Sequence, residues 1–253
     1  MEMNGLKVKA EAKVIDKPRL ISDLLNGANV IRSAVKHGEF DRIIDATGFA
    51  RAYLPAIQGE VISSLVQYRV KSERRYGLAI DVSNLGYAWR FPMGRNEYHI
   101  GAGSVKIPPQ QMLEKLGWLE NSTQICGCTG RMRLTAPQFS VPFVVLKEFE
   151  CPVWGVGEAI GCVAPLIGEG IIPGLKGAHL LLANWDDPEA YQNAILDEFS
   201  WMIHERKVVD KAVQGKELGI LDARVLNNST KRFKIFLNFN QGLQLLKSIT
   251  RVG

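Results

Sequence analysis

Apolar and polar residues follow two rhythms along this chain, and the switches between them mark its elements. Residues 6–15, LKVKAEAKVI, alternate as a half-buried strand does. From residue 17 the rhythm turns helical: Leu20, Ile21, Leu24, Leu25 and Ala28 share one face of KPRLISDLLNGANVIRSAV. Pro18 stands near its start, where a missing N–H does no harm. FDRIIDATG, 40–48, is a short apolar run ending in a turn, the pattern of a buried parallel strand. Between 55 and 147 alternation returns. GEVISSLVQYRVKS (59–72), YGLAIDVS (76–83), YAWRFPM (87–93), EYHIGAGSVKI (97–107) and MRLTAPQFSVPFVVL (132–146) read as strands rich in β-branched and aromatic residues. One helix, PPQQMLEKLGWLE (108–120), interrupts them. CPVWGVGEAIG (151–161) is again a short buried strand running into a Gly-rich turn, and a helix with a glycine-laden start follows over 168–185. Residues 186–213 read as one amphipathic helix, capped by Asp187, with Pro188 in its first position and Tyr191, Ile195, Phe199, Met202 and Ile203 as its apolar stripe. The tail, 231–253, reads as helical and partly apolar.

These elements predict an α/β protein carrying a sheet-rich, α+β insert. With 253 residues, 46% of them hydrophobic and 23% charged, the chain can bury a sizeable core. No apolar run approaches the length needed to span a bilayer, and MEMNGLKVKAEAKV has no signal-peptide core, so the expected location is cytoplasmic. The net charge of +5 comes from scattered basic residues with small clusters at KSERR and TKRFK, the pattern of a solvated surface; peripheral contact with an anionic membrane is the lesser reading. No nucleic-acid-binding motif is present, which sets that partner aside. Cys126 and Cys128 in CGC lack the spacing of a zinc knuckle, Cys151 and Cys162 stand apart, and His37, His99, His179 and His204 are dispersed, so no metal site is expected.

Two Gly-rich turns follow short apolar strands: DATG at 45–48 and GEAIGCVAPLIGEG at 157–170. A strand that ends in Gly and opens a helix turns backbone N–H groups toward an anion or an electron-rich oxygen. Glu158, just past the second strand, is placed to accept hydrogen bonds from a sugar-like hydroxyl chain. Tyr87, Trp89 and Phe91 fall on one face of a strand; Pro92 follows, and Gly101 and Gly103 would let a ligand approach the backbone.

Tyr-x-Trp-x-Phe-Pro, eight residues and then Gly-x-Gly, together with DATGFARAYLP and GVGEAIGCVAPLIGEGI, resembles the geranylgeranyl reductase family of flavoproteins, within the p-hydroxybenzoate-hydroxylase-like group. The resemblance runs from about residue 12 to about 200. It implies a partial FAD-binding domain from 1–54 and 148–185, a sheet-rich substrate domain over 55–147 and a C-terminal helical region over 186–253. It also implies FAD held by Asp45, Gly48, Gly157, Glu158, Pro165, Gly168, Gly170 and Ile171, with the helix after Gly168 aimed at the flavin ring. Tyr87, Trp89, Phe91, Pro92, Gly101 and Gly103 would then line a pocket for an isoprenoid lipid whose C=C bonds are reduced. Tyr87 and His99 are proton-donor candidates by residue type alone, and Cys126 or Cys128 could also line the site, so the catalytic residue stays unassigned. The family's opening G-x-G-x-x-G unit, which holds the ADP half of FAD, has no counterpart here. The chain alone is therefore expected to hold FAD weakly or not at all, and to associate with itself or with a separate chain supplying that unit. Alternatives on the same fold are a flavin monooxygenase, an electron-transfer dehydrogenase, or a non-catalytic remnant or lipid-binding module.

Overall fold

The computed structural model describes residues 1–11, 15–32, 40–146 and 151–249. In chain order its elements are β1 (Glu2–Met3), β2 (Leu6–Lys7), β3 (Lys9–Ala10), α1 (Lys17–Leu24), β4 (Ile43–Asp45), β5 (Ile62–Ser72), β6 (Ala79–Ser83), β7 (Gly86–Gly94), β8 (Glu97–Ser104), α2 (Pro109–Leu116), β9 (Ser122–Arg133), β10 (Val144–Val145), β11 (Val153–Gly155), α3 (Ile171–Ala183), α4 (Pro188–Glu198), α5 (Met202–Val213), α6 (Ile220–Arg232), β12 (Ile235–Phe236) and α7 (Phe239–Ile249). They form a mixed α/β fold with three sheets: seven strands in the order β2-β1-β6-β7-β8-β5-β9, three in the order β10-β11-β4, and the pair β12-β3.

The large sheet is antiparallel except where β1 runs parallel to β6. Its two faces differ because side chains alternate. Val66, Ala88, Ile100 and Ala102 point to one face and pack with Met112 and Leu113 of α2 into a closed core. Tyr87, Trp89 and Phe91 point to the other. The β7–β8 register sets Tyr87 opposite Gly103, Trp89 opposite Gly101 and Phe91 opposite His99. Aromatic and glycine are thus cross-strand partners, which explains the spacing of the motif. The Trp89 indole lies across Gly101, where a Cβ would fall 2.6 Å from both Cε2 of the ring and the Val66 carbonyl oxygen. The Leu65 side chain fills the space over Gly103 in the same way. Pro92 sits beside a register shift before Gly94, where the ladder is already interrupted.

The small sheet sets β4 parallel to β11, with Asp45 opposite Gly155. Its core of Phe143, Val153, Trp154, Tyr191, Ile195, Phe199 and Met202 is closed by α3, α4 and the start of α5. The C-terminal helices cover the β6 end of the large sheet, where Ile80 and Val82 pack with Leu245 and Leu246. Arg42 locks β4 to the α3–α4 turn: its guanidinium lies between the Trp154 and Trp185 rings and donates to the Trp185 carbonyl.

Several expectations change. The alternation over 6–15 becomes two short strands, and 12–14 lie outside the described residues. Residues 2–7 pair within the large sheet, β1 lying beside β6. The helix expected over 17–35 is described only as α1: Gly27 takes a left-handed φ of 82° just past it, no α1 residue is buried, and 33–35 lie outside the described residues. His37 and tail residues 250–253 lie outside them too. The strand expected over 132–146 is displaced upstream to β9; after Arg133 the chain leaves the sheet for a 3-10 turn, Pro137–Phe139, before β10. The single helix expected over 186–213 breaks at Phe199–Trp201 into α4 and α5, Asp187 capping α4 through a 2.9 Å bond from the Ala190 N–H. That break lets Phe199 and Met202, both fully buried, close one core from two helices. The tail contains α7 but also β12, which pairs with β3, and α6 falls within the helical region expected over 186–253.

Gly101→Ala must displace the Trp89 ring or the β5 backbone and is expected to cost about 1–3 kcal/mol. Gly130→Ala, with nothing within 4 Å of a new Cβ, should stay within about 0.5 kcal/mol of the parent in urea titrations. Equal losses would refute the packing role of Gly101.

Candidate functional site

Parallel pairing of β4 with β11 brings the turns after both strands side by side, at the carboxyl ends where open α/β sheets bind ligands. Asp45 builds the first turn. It is fully buried, and its carboxylate accepts from the Thr47 N–H and hydroxyl and from the Tyr53 N–H, at 3.0, 2.6 and 2.9 Å. Its side chain is therefore spent on the loop, and only the backbone it shapes faces the site. Gly48, at φ 63°, opens the 3-10 turn Gly48–Ala50; a Cβ there would lie 3.6 Å from Glu158 Oε2.

Glu158 comes from the second turn and meets Gly48 across the gap. Its Oε1 accepts from the Arg133 N–H at 2.9 Å. Burial raises its carboxyl above the ordinary value, against the opposing pull of the Arg133 N–H and charge. Gly157, at φ 68°, has no atom within 4 Å of a Cβ position and leaves the turn open. Arg133 pairs with Glu60 at 2.9 Å and donates to the Phe49 carbonyl, while its Nη1 is buried without a protein partner.

Arg51 ties the two turns together. Only 5% exposed and at a left-handed φ of 44°, it donates to the carbonyls of Pro55, Ser140, Pro142 and Ala159. Burial, and then the nearby Arg133 charge, lower its pKa to about 10.

Three side chains hold the segment before α3. The Tyr87 hydroxyl donates to the Ile167 carbonyl at 2.6 Å, and burial pushes its pKa up to about 12, so this proton-donor candidate keeps its proton on a protein acceptor. Glu205 of α5 accepts from the Leu166 N–H at 3.3 Å. Glu169 accepts from the N–H groups of Ile171 and Ile172 at 2.8 and 3.1 Å. The first N–H groups of α3 are thus met by the chain's own carboxylate. The second Glu169 oxygen is buried without a partner, and burial raises this carboxyl too. Gly168, at φ 64°, lies against Tyr87 and Met132; Gly170 caps α3, and Pro165 is buried beneath the loop.

The aromatic stripe continues from this loop as a half-buried face. The Trp89 Nε1 donates to Gln67 Oε1 at 3.1 Å. His99 lies between Phe91 and Arg69 in the ladder, and burial with the Arg69 charge lowers its pKa. Cys128 and Cys126 follow on the same face, opposite Gln67 and Arg69, as exposed free thiols. A cavity of about 750 Å³ lies at the foot of the sheet instead, and none of Tyr87, Trp89 and Phe91 lines it. No helix among the described residues is long and apolar enough to cross a membrane.

Neither a protein-family model nor a curated protein matches the chain. Solved structures do. A geranylgeranyl bacteriochlorophyll reductase-like protein from Thermoplasma acidophilum superposes on 83% of this chain with a TM-score of 0.57 at 18% identity. A flavin-dependent halogenase from Xanthomonas campestris superposes on 83% with a TM-score of 0.50 at 13% identity. The chain spans 59% of the first protein's length and 54% of the second's. These likenesses establish a shared fold.

Sequence reasoning missed Arg51, Arg133, Glu169 and Glu205. An acid just before a helix is a recognisable capping signal and could have marked Glu169. The buried arginines carry no local pattern, since their partners are carbonyls distant in sequence.

Burial lifts Glu205 from 4.5 to about 7, outweighing Ser229, Leu166 and Arg232, which favour its charged form. A raised carboxyl stabilises the fold below its unfolded pKa, and that contribution is lost as pH rises through the folded value. Stability should therefore fall by up to about 1.4 kcal/mol per pH unit between pH 4.5 and 7 from this group. Urea titrations across that range should show the slope in the parent and a flatter one in Glu205→Gln. An unchanged slope would assign the titration to another group.

Proposed function

We propose that the paired turns form the ring and ribityl side of a flavin site, and that the chain belongs to an FAD-dependent oxidoreductase acting on C=C bonds of an isoprenoid lipid at the stripe. The observation that carries this reading is the meeting of Glu158 with Gly48 across two adjacent parallel strand ends. The residues fit such a group: Gly157 leaves an open approach, Glu158 keeps one oxygen clear of the Arg133 N–H, and Arg133 Nη1 and Glu169 Oε2 are buried polar atoms awaiting partners. A reduced flavin, when bound, supplies hydride to an alkene.

The chain's own part is binding and placement. Glu158 would accept hydrogen bonds from ribityl hydroxyls, with Asp45 and Arg51 fixing the turns that carry it. Gly168, Gly170 and Ile171, braced by Tyr87 through Ile167, would set the edge of the ring. Trp89 and Phe91 would give an alkene chain a flat apolar floor, with Gly101 and Gly103 as the cross-strand partners of Trp89 and Tyr87 and Pro92 ending the run. Tyr87 retains its proton, leaving His99 as the titratable imidazole on that face. A basic surface would favour docking at an anionic membrane, from which such a lipid could be drawn.

These residues reach the ring, ribityl and near phosphate, and not the adenosine. Riboflavin, FMN and FAD should therefore bind with dissociation constants within about threefold of one another, read by quenching of flavin fluorescence. Glu158→Ala should weaken all three by about tenfold, the effect of losing about 1.4 kcal/mol of hydrogen bonding. FAD binding a hundredfold tighter than riboflavin would overturn the assignment. The activity test is incubation with chemically reduced FAD and a geranylgeranyl lipid, followed by mass spectrometry. Addition of two hydrogens per reduced double bond, lost in Trp89→Ala, is expected; flavin binding without reduction would leave the cofactor reading and remove the substrate.

A further inference from the structure

We propose that the groove at the foot of the large sheet is a second binding site, for a single-chain anionic amphiphile, with the head between Lys106 and Arg131 and the alkyl tail along Phe49, Val105 and Ile107. The groove is open to solvent and offers about 750 Å³, within the range of small-molecule sites. It is built by the sheet register: Ser104, Ser64 and Arg131 stand in one row across β8, β5 and β9. That row alternates with the Gly103–Leu65–Gly130 row of the stripe face, so Ser104, Ser64 and Arg131 project on the α2 side. The groove therefore opens on the face opposite the aromatic rings; Leu65 and Gly130 border it, and through Phe49 it adjoins the 3-10 turn Gly48–Ala50 of the first site.

Ser104 turns the chain out of β8. Its hydroxyl donates to the Asn84 carbonyl at 2.9 Å and accepts from the N–H groups of Lys106 and Ile107 at 3.1 and 3.2 Å. This holds the Lys106 backbone at the groove, which Arg131 of β9 also lines. The lining contains no carboxylate. Among the described residues neither cation has an ion pair or a side-chain hydrogen bond. Two uncompensated positive charges facing one concavity attract an anion. Phe49, Leu65, Val105, Ile107, Pro108 and Pro109 give the wall an apolar part beside Ser64, Ser104, Gln110 and Thr129, and no pair of aromatic faces is present to hold a nucleobase. An alkyl chain fits that chemistry better than a nucleotide does.

The test is isothermal titration calorimetry of octyl phosphate, below its micelle concentration, with 1-octanol, inorganic phosphate and AMP in parallel. One equivalent of octyl phosphate should bind at least tenfold more tightly than the other three, and more weakly as salt rises. Lys106→Gln and Arg131→Gln should each weaken it about fivefold. Both side chains are exposed, so far-ultraviolet circular dichroism and thermal unfolding should be unchanged. Equal binding of octanol would overturn the role of charge, and equal binding of phosphate the role of the tail. Tighter binding of AMP would point to a nucleotide. Unchanged affinity in the two variants, or no binding of octyl phosphate, would remove the site.

Discussion

Arg51 stands where three loops meet, and its removal would leave a carbonyl unpaired in each, buried in the two that hold Ala159 and Ser140. One guanidinium satisfies the segment after β4, the turn after β11 and the run between β9 and β10. Its bonds run to carbonyls rather than to a carboxylate, so it is a buried charge stabilised by dipoles, and the drop in its pKa records the desolvation. A lysine could not replace it, because an ammonium has no planar fork to span four acceptors. Asp45, Glu158 and Gly48 keep their relation only while those loops are pinned. The arrangement that suggests a cofactor thus depends on a residue that would never touch one.

The loop before α3 shows a similar economy. Tyr87, Glu169 and Glu205 hold it from the large sheet, from within and from the C-terminal helices. Three layers of the fold therefore converge on a few residues, and two of the three anchors are carboxyl groups that burial disfavours as anions. An anionic or electron-rich group arriving at α3 would compete with Glu169 for the same N–H groups.

Legibility in the sequence followed the alternation of environments. The strands from β5 to β8 were readable because one face is closed by α2 and the other is not, so Val66, Ala88, Ile100 and Ala102 alternate with polar, aromatic or glycine residues. The aromatic and glycine motif was visible as a pattern; its physical meaning, a ladder of rings over bare backbone, appears only with the register. β9 was missed because residues 123–130 are exposed on both faces, leaving no burial pattern to read. The break between α4 and α5 was hidden because Phe199 and Met202 are apolar in either arrangement. Of the candidate residues, Glu158, Gly48 and Gly157 come together as their strand positions suggested. Asp45 turns inward and the α3 terminus is filled, because hydrogen-bond partners next to each in sequence reach them first.

The pairing of β4 with β11 joins stretches separated by roughly a hundred residues, nearly all of the large sheet lying between them. Contacts so distant along the chain are slow to form, since loop-closure entropy must be overcome before any interaction offsets it. In the large sheet β1–β2, β6–β7 and β7–β8 are neighbouring hairpins that can form by local steps, whereas β5 must wait for β8 and β9; all of these strands precede β11 in the chain. During synthesis β4 must wait, with its apolar face open, until β11 has left the ribosome. The candidate site is therefore among the last parts of the molecule to mature, and a nascent chain halted within the sheet would be a substrate for chaperones rather than a partly working protein.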